Sequence, residues 1–91
     1  MEFEYDPVKS AINKEKHGVD FEQAKLLWAD ITRVEIPTKN VKGESRFALV
    51  GGFGGTVWIA IYTLRGDKIR IISVRPASRE ERKLYEQADI D

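Results

Sequence analysis

At Thr32 the apolar period of this chain changes. Before it, apolar residues recur three and four apart; after it, they alternate. A chain of 91 residues that is helical first and stranded afterwards has few compact solutions, because its helices must pack on the sheet that follows them. The expectation is an α+β fold in a single domain, residues 1–91, with two N-terminal helices, an antiparallel twisted meander and a closing C-terminal helix.

Local signals set the boundaries. Residues 3–5 read as a short strand. Asp6-Pro7 starts the first helix, since Asp can accept from a free first-turn amide and Pro at the first helical position forfeits no hydrogen bond. Val8, Ala11 and Ile12 mark its apolar stripe, and His17-Gly18 its end, glycine being suited to the left-handed cap. Asp20 and Gln23 predict a capping box for a second helix ending near Ala29-Asp30, with Phe21, Ala24, Leu27 and Trp28 as its stripe.

Strands follow around Val34 and Ile36 up to Pro37, then over residues 45–50, 57–63 and 68–74. In the second of these, Phe47 and Leu49 face one way and Arg46, Ala48 and Val50 the other. Residues 57–63 are almost wholly apolar, as a central strand covered on both faces should be. In the last strand Ile69, Ile71, Ser73 and Arg75 alternate with Lys68, Arg70, Ile72 and Val74. Residues 38–44 form a polar loop and Gly66-Asp67 a tight turn. The glycine run 51–55 reads as a flexible hairpin loop; it lacks the Lys-Ser/Thr ending of a phosphate loop and precedes a strand. Ser78 and Glu81 predict a capping box for a last helix through about Ala88.

Composition narrows the function. Apolar residues make up 42%, enough for a core that holds without staples, and Trp28 and Trp58 are assigned to it. With no cysteine, disulfides, thiolate zinc sites and thiol nucleophiles are excluded, and a single histidine excludes a multi-histidine metal site. No metal or other cofactor is expected, although the residues leave a carboxylate-only magnesium site open in principle. No apolar run approaches the roughly 20 residues of a membrane span, and the acidic start is unlike a signal peptide. The chain reads as soluble and cytoplasmic, with no membrane partner.

The formal net charge of zero hides an asymmetry. Residues 1–45 carry seven basic and nine acidic side chains, residues 46–83 eight and three, and residues 84–91 three acidic ones. The basic stretch holds Arg46, Arg65, Arg70, Arg75, Arg79 and Arg82, and arginine suits bidentate contact with phosphate. Two readings stand side by side: a phosphate-binding face, or solvated charges on strand edges and a helix. If RNA is the ligand, its 2′-OH supplies a nucleophile, leaving the protein to move protons and stabilise the phosphorane. Arg65, Arg75 and Arg79 are the candidates for that stabilisation, Arg75 and Arg79 at one rim of the sheet. His17 fits acid–base chemistry near neutrality and equally fits a helix C-terminus, where its charge would be favoured. Glu44 is either a base or a partner of Arg46. Tyr85 either stacks on a base or donates a proton, or it seals the last helix onto the sheet with its hydroxyl at the surface.

The motifs resemble those of a known family. Phe3-Glu4-Tyr5-Asp6-Pro7, Lys9, Asn13, Lys16-His17-Gly18-Val19, Phe21 and Ala24 are similar to the N-terminal half of the BrnT toxins. Glu44, Arg46-Phe47, Gly51, Arg70-Ile71-Ile72-Ser73, Arg75, Ala77, Glu81 and Tyr85 resemble the C-terminal half. The resemblance implies a RelE-like fold, metal-independent cleavage of RNA to inhibit translation, and a type II toxin–antitoxin system. It also implies neutralisation by a BrnA-type ribbon-helix-helix antitoxin, with operator DNA contacted only through that complex. Carried over by position, His17, Arg65, Arg75 and Arg79 are the implied catalytic residues, and Glu44, Arg46, Arg70 and Tyr85 the implied substrate-binding ones. The chain departs from the family at Val74, often Ala, and at Pro76, often basic, which removes a charge and stiffens the turn beside Arg75. That second departure keeps open an alternative, a non-enzymatic binding module acting as corepressor with its antitoxin.

Overall fold

Asp6 and Gly18 bound the first helix as their chemistry dictates. The Asp6 side chain accepts from the Val8 amide, and Gly18 takes φ 83° while its N–H closes on Lys14. The computed structural model describes residues 1–38, 40 and 42–90. Its elements are β1 (Glu2–Glu4), α1 (Pro7–His17), α2 (Phe21–Ala24) continuing as a 3-10 turn (Lys25–Ala29), β2 (Val34–Pro37), β3 (Phe47–Phe53), β4 (Thr56–Arg65), β5 (Lys68–Pro76) and α3 (Arg79–Ile90). Both capping boxes form: Asp20 with Gln23 at α2, and Ser78 with Glu81 at α3. The α+β class is as expected.

The sheet runs β1-β5-β4-β3-β2, with β4 central. Strands β2 to β5 form the antiparallel meander, but β1 joins parallel to β5, pairing Glu2 with Lys68 and Glu4 with Arg70. The meander is antiparallel as expected, and the short N-terminal strand adds one parallel pairing at its β5 edge. Because the chain turns into α1 after Glu4, β5 beyond Arg70 is flanked on that side by a helix instead of a strand.

That helix packs in an unexpected way. Val8 and Ile12, expected on the buried stripe, are 66% and 53% exposed, whereas Ser10 and Asn13 are buried. The polar face turns inward because the neighbouring backbone needs partners there. Ser10 Oγ accepts from Phe21 N at 2.9 Å, Asn13 Nδ2 donates to Val19 O at 2.8 Å, and Asn13 Oδ1 accepts from Val74 N at 3.2 Å. Asn13 thus takes the place of a missing strand on the β5 edge.

The main core lies between α1, α2 and one face of the sheet, built on Phe21, Leu27, Leu49, Ala60, Ile71 and Val74. Trp28 and Trp58 are half-buried against it. A smaller cluster of Ala48, Val50 and Ile59 occupies the opposite face, partly covered by Tyr85 of α3. Strict alternation fails in β5. Ile61 pairs with Ser73 but Tyr62 with Ile71, so a bulge at Ile72 reverses the facing, and Val74 joins the main core in place of Ser73.

The glycine run is also shorter as a loop than expected. Gly51 and Gly52 belong to β3, and only Gly54-Gly55 make the turn. A Cβ on Gly51 would stand 3.2 Å from Leu27 O, and one on Gly52 would stand 2.8 Å from the Tyr85 hydroxyl. These two glycines admit close approach from the 3-10 turn and from α3.

Candidate active site

Where β1 ends and α1 crosses the β5 edge, a cleft of about 250 Å³ opens. Lys9, Ile12, Asn13, Lys16 and His17 line it from α1, and Ile72, Ser73, Val74 and Arg75 from β5. The α1 residues recur at i, i+3, i+4, i+7 and i+8, one helical face. His17 sits in the last turn, and the bulge at Ile72 falls within the opposing wall. Among the described residues the lining holds three cationic chains and one imidazole, and no carboxylate.

Arg75 is fixed before any ligand arrives. Its Nη1 donates to Glu81 Oε1 at 2.9 Å and its Nη2 to Glu81 Oε2 at 3.0 Å, with a further contact from Nη1 to Pro76 O at 3.2 Å. The hydrogen bond from Arg75 holds the Glu81 carboxyl below its usual range, and Glu81 in turn keeps Arg75 firmly charged. Lys9, Lys16, His17 and Ser73 make no side-chain hydrogen bond or ion pair among the described residues.

Apart from Tyr85, the expected site residues lie toward two ends of the sheet. His17 and Arg75 share the cleft, and Arg79 begins α3 just beyond Pro76, exposed and outside the lining. Arg65 lies at the other end of β4, next to Lys68 across the hairpin, six residues along from the Ile59 that pairs with Arg75. That separates it from the cleft by roughly 20 Å. Arg46 and Arg70 are also at this far end, where Arg46 Nε stands 3.8 Å from Glu44 Oε1 and Arg70 Nη1 stands 3.6 Å from Glu4 Oε2.

Tyr85 is engaged elsewhere. Its hydroxyl, expected at the surface, donates to Asp30 Oδ2 at 2.6 Å and accepts from Thr32 Oγ1 at 3.1 Å in a partly buried network. The Gly52 amide donates to the same Asp30 oxygen at 2.8 Å. Burial alone would raise the Asp30 pKa, but hydrogen bonds from Tyr85, Thr32 and Gly52 outweigh it and hold the carboxyl at about 2. The network fastens α3 to β3 and to the segment that enters β2.

Sequence reasoning passed over Lys9, Lys16, Ser73 and Glu81 as site residues, although all but Ser73 carry charge. The helical spacing of Lys9, Asn13 and Lys16 was the available signal. Its value depended on knowing that the polar face of α1 points inward.

The chain is thus a small α+β protein whose five-stranded sheet carries, between α1 and the β5 edge, a cationic groove with one imidazole, a surface that attracts anions. Among the described residues no helix is long and apolar enough to cross a membrane. A family model described as "Ribonuclease toxin, BrnT, of type II toxin-antitoxin system" matches residues 5–81, and the chain belongs to that family. No curated protein matches it.

Proposed function

We propose that this chain is an endoribonuclease whose reacting centre is the α1–β5 cleft. The observation that carries the reading is the convergence of His17 and Arg75, from opposite ends of the chain, on one groove with Lys9, Lys16 and Ser73. In this scheme the RNA 2′-oxygen attacks the adjacent phosphorus and the 5′-oxygen leaves. His17 takes the proton from the 2′-OH and delivers it to the departing 5′-oxygen, Arg75 stabilises the phosphorane, and Lys9 and Lys16 hold flanking phosphates. Arg79 extends the cationic rim, while Arg65, Arg46 and Arg70 lie outside the reacting centre. Among the described residues the lining holds no carboxylate, which supports attack by the RNA's own 2′-oxygen and the metal-independent cleavage that the motifs imply.

The resemblance of the motifs supports the biological setting: a cytoplasmic toxin that inhibits translation, neutralised by a BrnA-type ribbon-helix-helix antitoxin that carries the complex to operator DNA. The test is a defined single-stranded RNA incubated with the purified chain in EDTA, followed by analysis of product ends. Shortened RNA bearing 2′,3′-cyclic phosphate and 5′-hydroxyl ends is the expected result. Products with 3′-hydroxyl ends, or cleavage only with added metal, would overturn the mechanism. RNA bound without turnover would select the non-enzymatic module instead.

A further inference from the structure

We propose that Glu81 is a positioning residue, gripping one edge of the Arg75 guanidinium so that the opposite edge is presented as a fork to a phosphate in the cleft. The proposal rests on the reading of the cleft as the RNA site, and it concerns a residue that does not line the cleft itself.

A guanidinium has five N–H groups. Glu81 takes one on Nη1 and one on Nη2, an end-on contact, and Pro76 O takes a further Nη1 direction. The Nε–H and the second Nη2–H remain, and neither has a partner among the described residues. Those two groups form the side-on edge, whose spacing matches two oxygens of one phosphate. The carboxylate stands behind and the cation in front: the Glu81 side chain is 18% exposed and that of Arg75 is 46%.

Glu81 is itself held. Its Oε1 accepts from Ser78 N at 2.7 Å, and its own N–H donates to Ser78 Oγ at 3.2 Å, so the capping box of α3 fixes the carboxylate that fixes the arginine. An arginine left to itself loses rotamer freedom when it meets a phosphate; one already gripped loses less. The cost of the grip is a negative charge near the substrate.

Three variants separate the cases. Glu81→Gln keeps the shape and the capping box but removes the charge and the matched pair of acceptors. Ser78→Ala weakens the same helix start while leaving the ion pair in place. Arg75→Ala removes the group being positioned. With RNA as substrate, Glu81→Gln should lower kcat about tenfold with KM changed by about twofold or less, because orientation is lost more than binding. Ser78→Ala should stay close to the parent, and Glu81→Gln should have no further effect in an Arg75→Ala background.

The second readout needs no turnover. The Arg75 Nε–H resonance should be sharp in the parent and should shift on addition of inorganic phosphate; in Glu81→Gln it should broaden and respond more weakly. If Arg75→Ala itself leaves cleavage unchanged, the reading of the cleft fails. If Arg75→Ala is crippling but Glu81→Gln matches or exceeds the parent, or its Nε–H signal is unaltered, the positioning role fails and the cleft reading stands.

Discussion

The two basic ends of this sheet are built from similar residues and differ in what neutralises them. At the β4–β5 hairpin, Arg46, Arg70 and Lys68 each stand within 4.0 Å of a glutamate, from Glu44, Glu4 and Glu2. In the α1–β5 cleft, Lys9, Lys16 and His17 pair with no carboxylate among the described residues, and Glu81, which contacts Arg75, is withdrawn behind it. Cation density alone therefore does not mark a site. The chain's most basic segment is partly silenced by acids from β1, and its acidic N-terminal segment supplies the open cations of the cleft.

The comparison breaks most clearly on activity. His17→Ala and Arg75→Ala should each lower kcat/KM for RNA cleavage about 100-fold or more, as expected for lost proton transfer or lost charge stabilisation. Arg65→Ala and Arg70→Ala should cost about threefold or less, the scale of a screened surface charge. Steady-state kinetics on one RNA decide it. An Arg65 effect equal to that of Arg75 would reunite the two ends in one site.

Stability offers the next contrast. Asn13 supplies both a donor and an acceptor to buried backbone at the cleft, whereas Thr63, buried near the hairpin, donates once to Ser45 O at 2.7 Å. Asn13→Ala should cost about 1 to 3 kcal/mol and Thr63→Val about 1 kcal/mol, read by urea unfolding. Equal losses would mean that α1 is held on β5 by apolar contact after all.

These contrasts show what was legible in the sequence. Asp6, Gly18, Asp20, Gln23, Ser78 and Glu81 act within a few residues of themselves, so caps and helix starts could be read directly. The inward polar face of α1 could not, because Asn13 is buried by virtue of Val74, far along the chain. Nor could the bulge at Ile72, which is set by the pairing between β4 and β5 and reverses the facing of everything after it. Of the candidate cleft's lining, His17 and Arg75 were singled out by residue chemistry and by the resemblance of the motifs. The exclusion of Arg65 from the cleft needed the register, which puts the two ends of β4 at opposite ends of the sheet.

A smaller effect should appear in acid. Asp30 lies at the same end of the sheet as Arg75, joined to Tyr85 of α3 and to Gly52 of β3, and its folded pKa of about 2 lies below the value of 3.8 for an unperturbed carboxyl. A depressed carboxyl stabilises the fold fully above its unfolded pKa, and that contribution is lost as pH falls through the folded one. With allowance for partial solvent exposure it is on the order of 1 kcal/mol. Unfolding free energy measured from pH 5 down to 2 should therefore decline more steeply in the parent than in Asp30→Asn. Glu81, also depressed, adds a parallel slope in both. Identical slopes would remove Asp30 from the attachment of α3.

The smallest effect tests the silencing itself. Glu2→Gln with Glu4→Gln leaves β1 able to pair through its backbone but strips the carboxylates from Lys68 and Arg70. Exposed ion pairs of this kind contribute about 0 to 1 kcal/mol, so the fold should barely notice. RNA should notice more, because two released cations can each neutralise a phosphate and steepen the dependence of log affinity on log salt by up to about 1.4. Affinity for single-stranded RNA should rise a few-fold at low salt, while kcat stays unchanged because no reacting group has moved. A rise in kcat would place the hairpin within the reacting centre. An unchanged affinity and salt slope would mean that RNA never passes over that end of the sheet, and the acids of β1 would then serve the strand pairing alone.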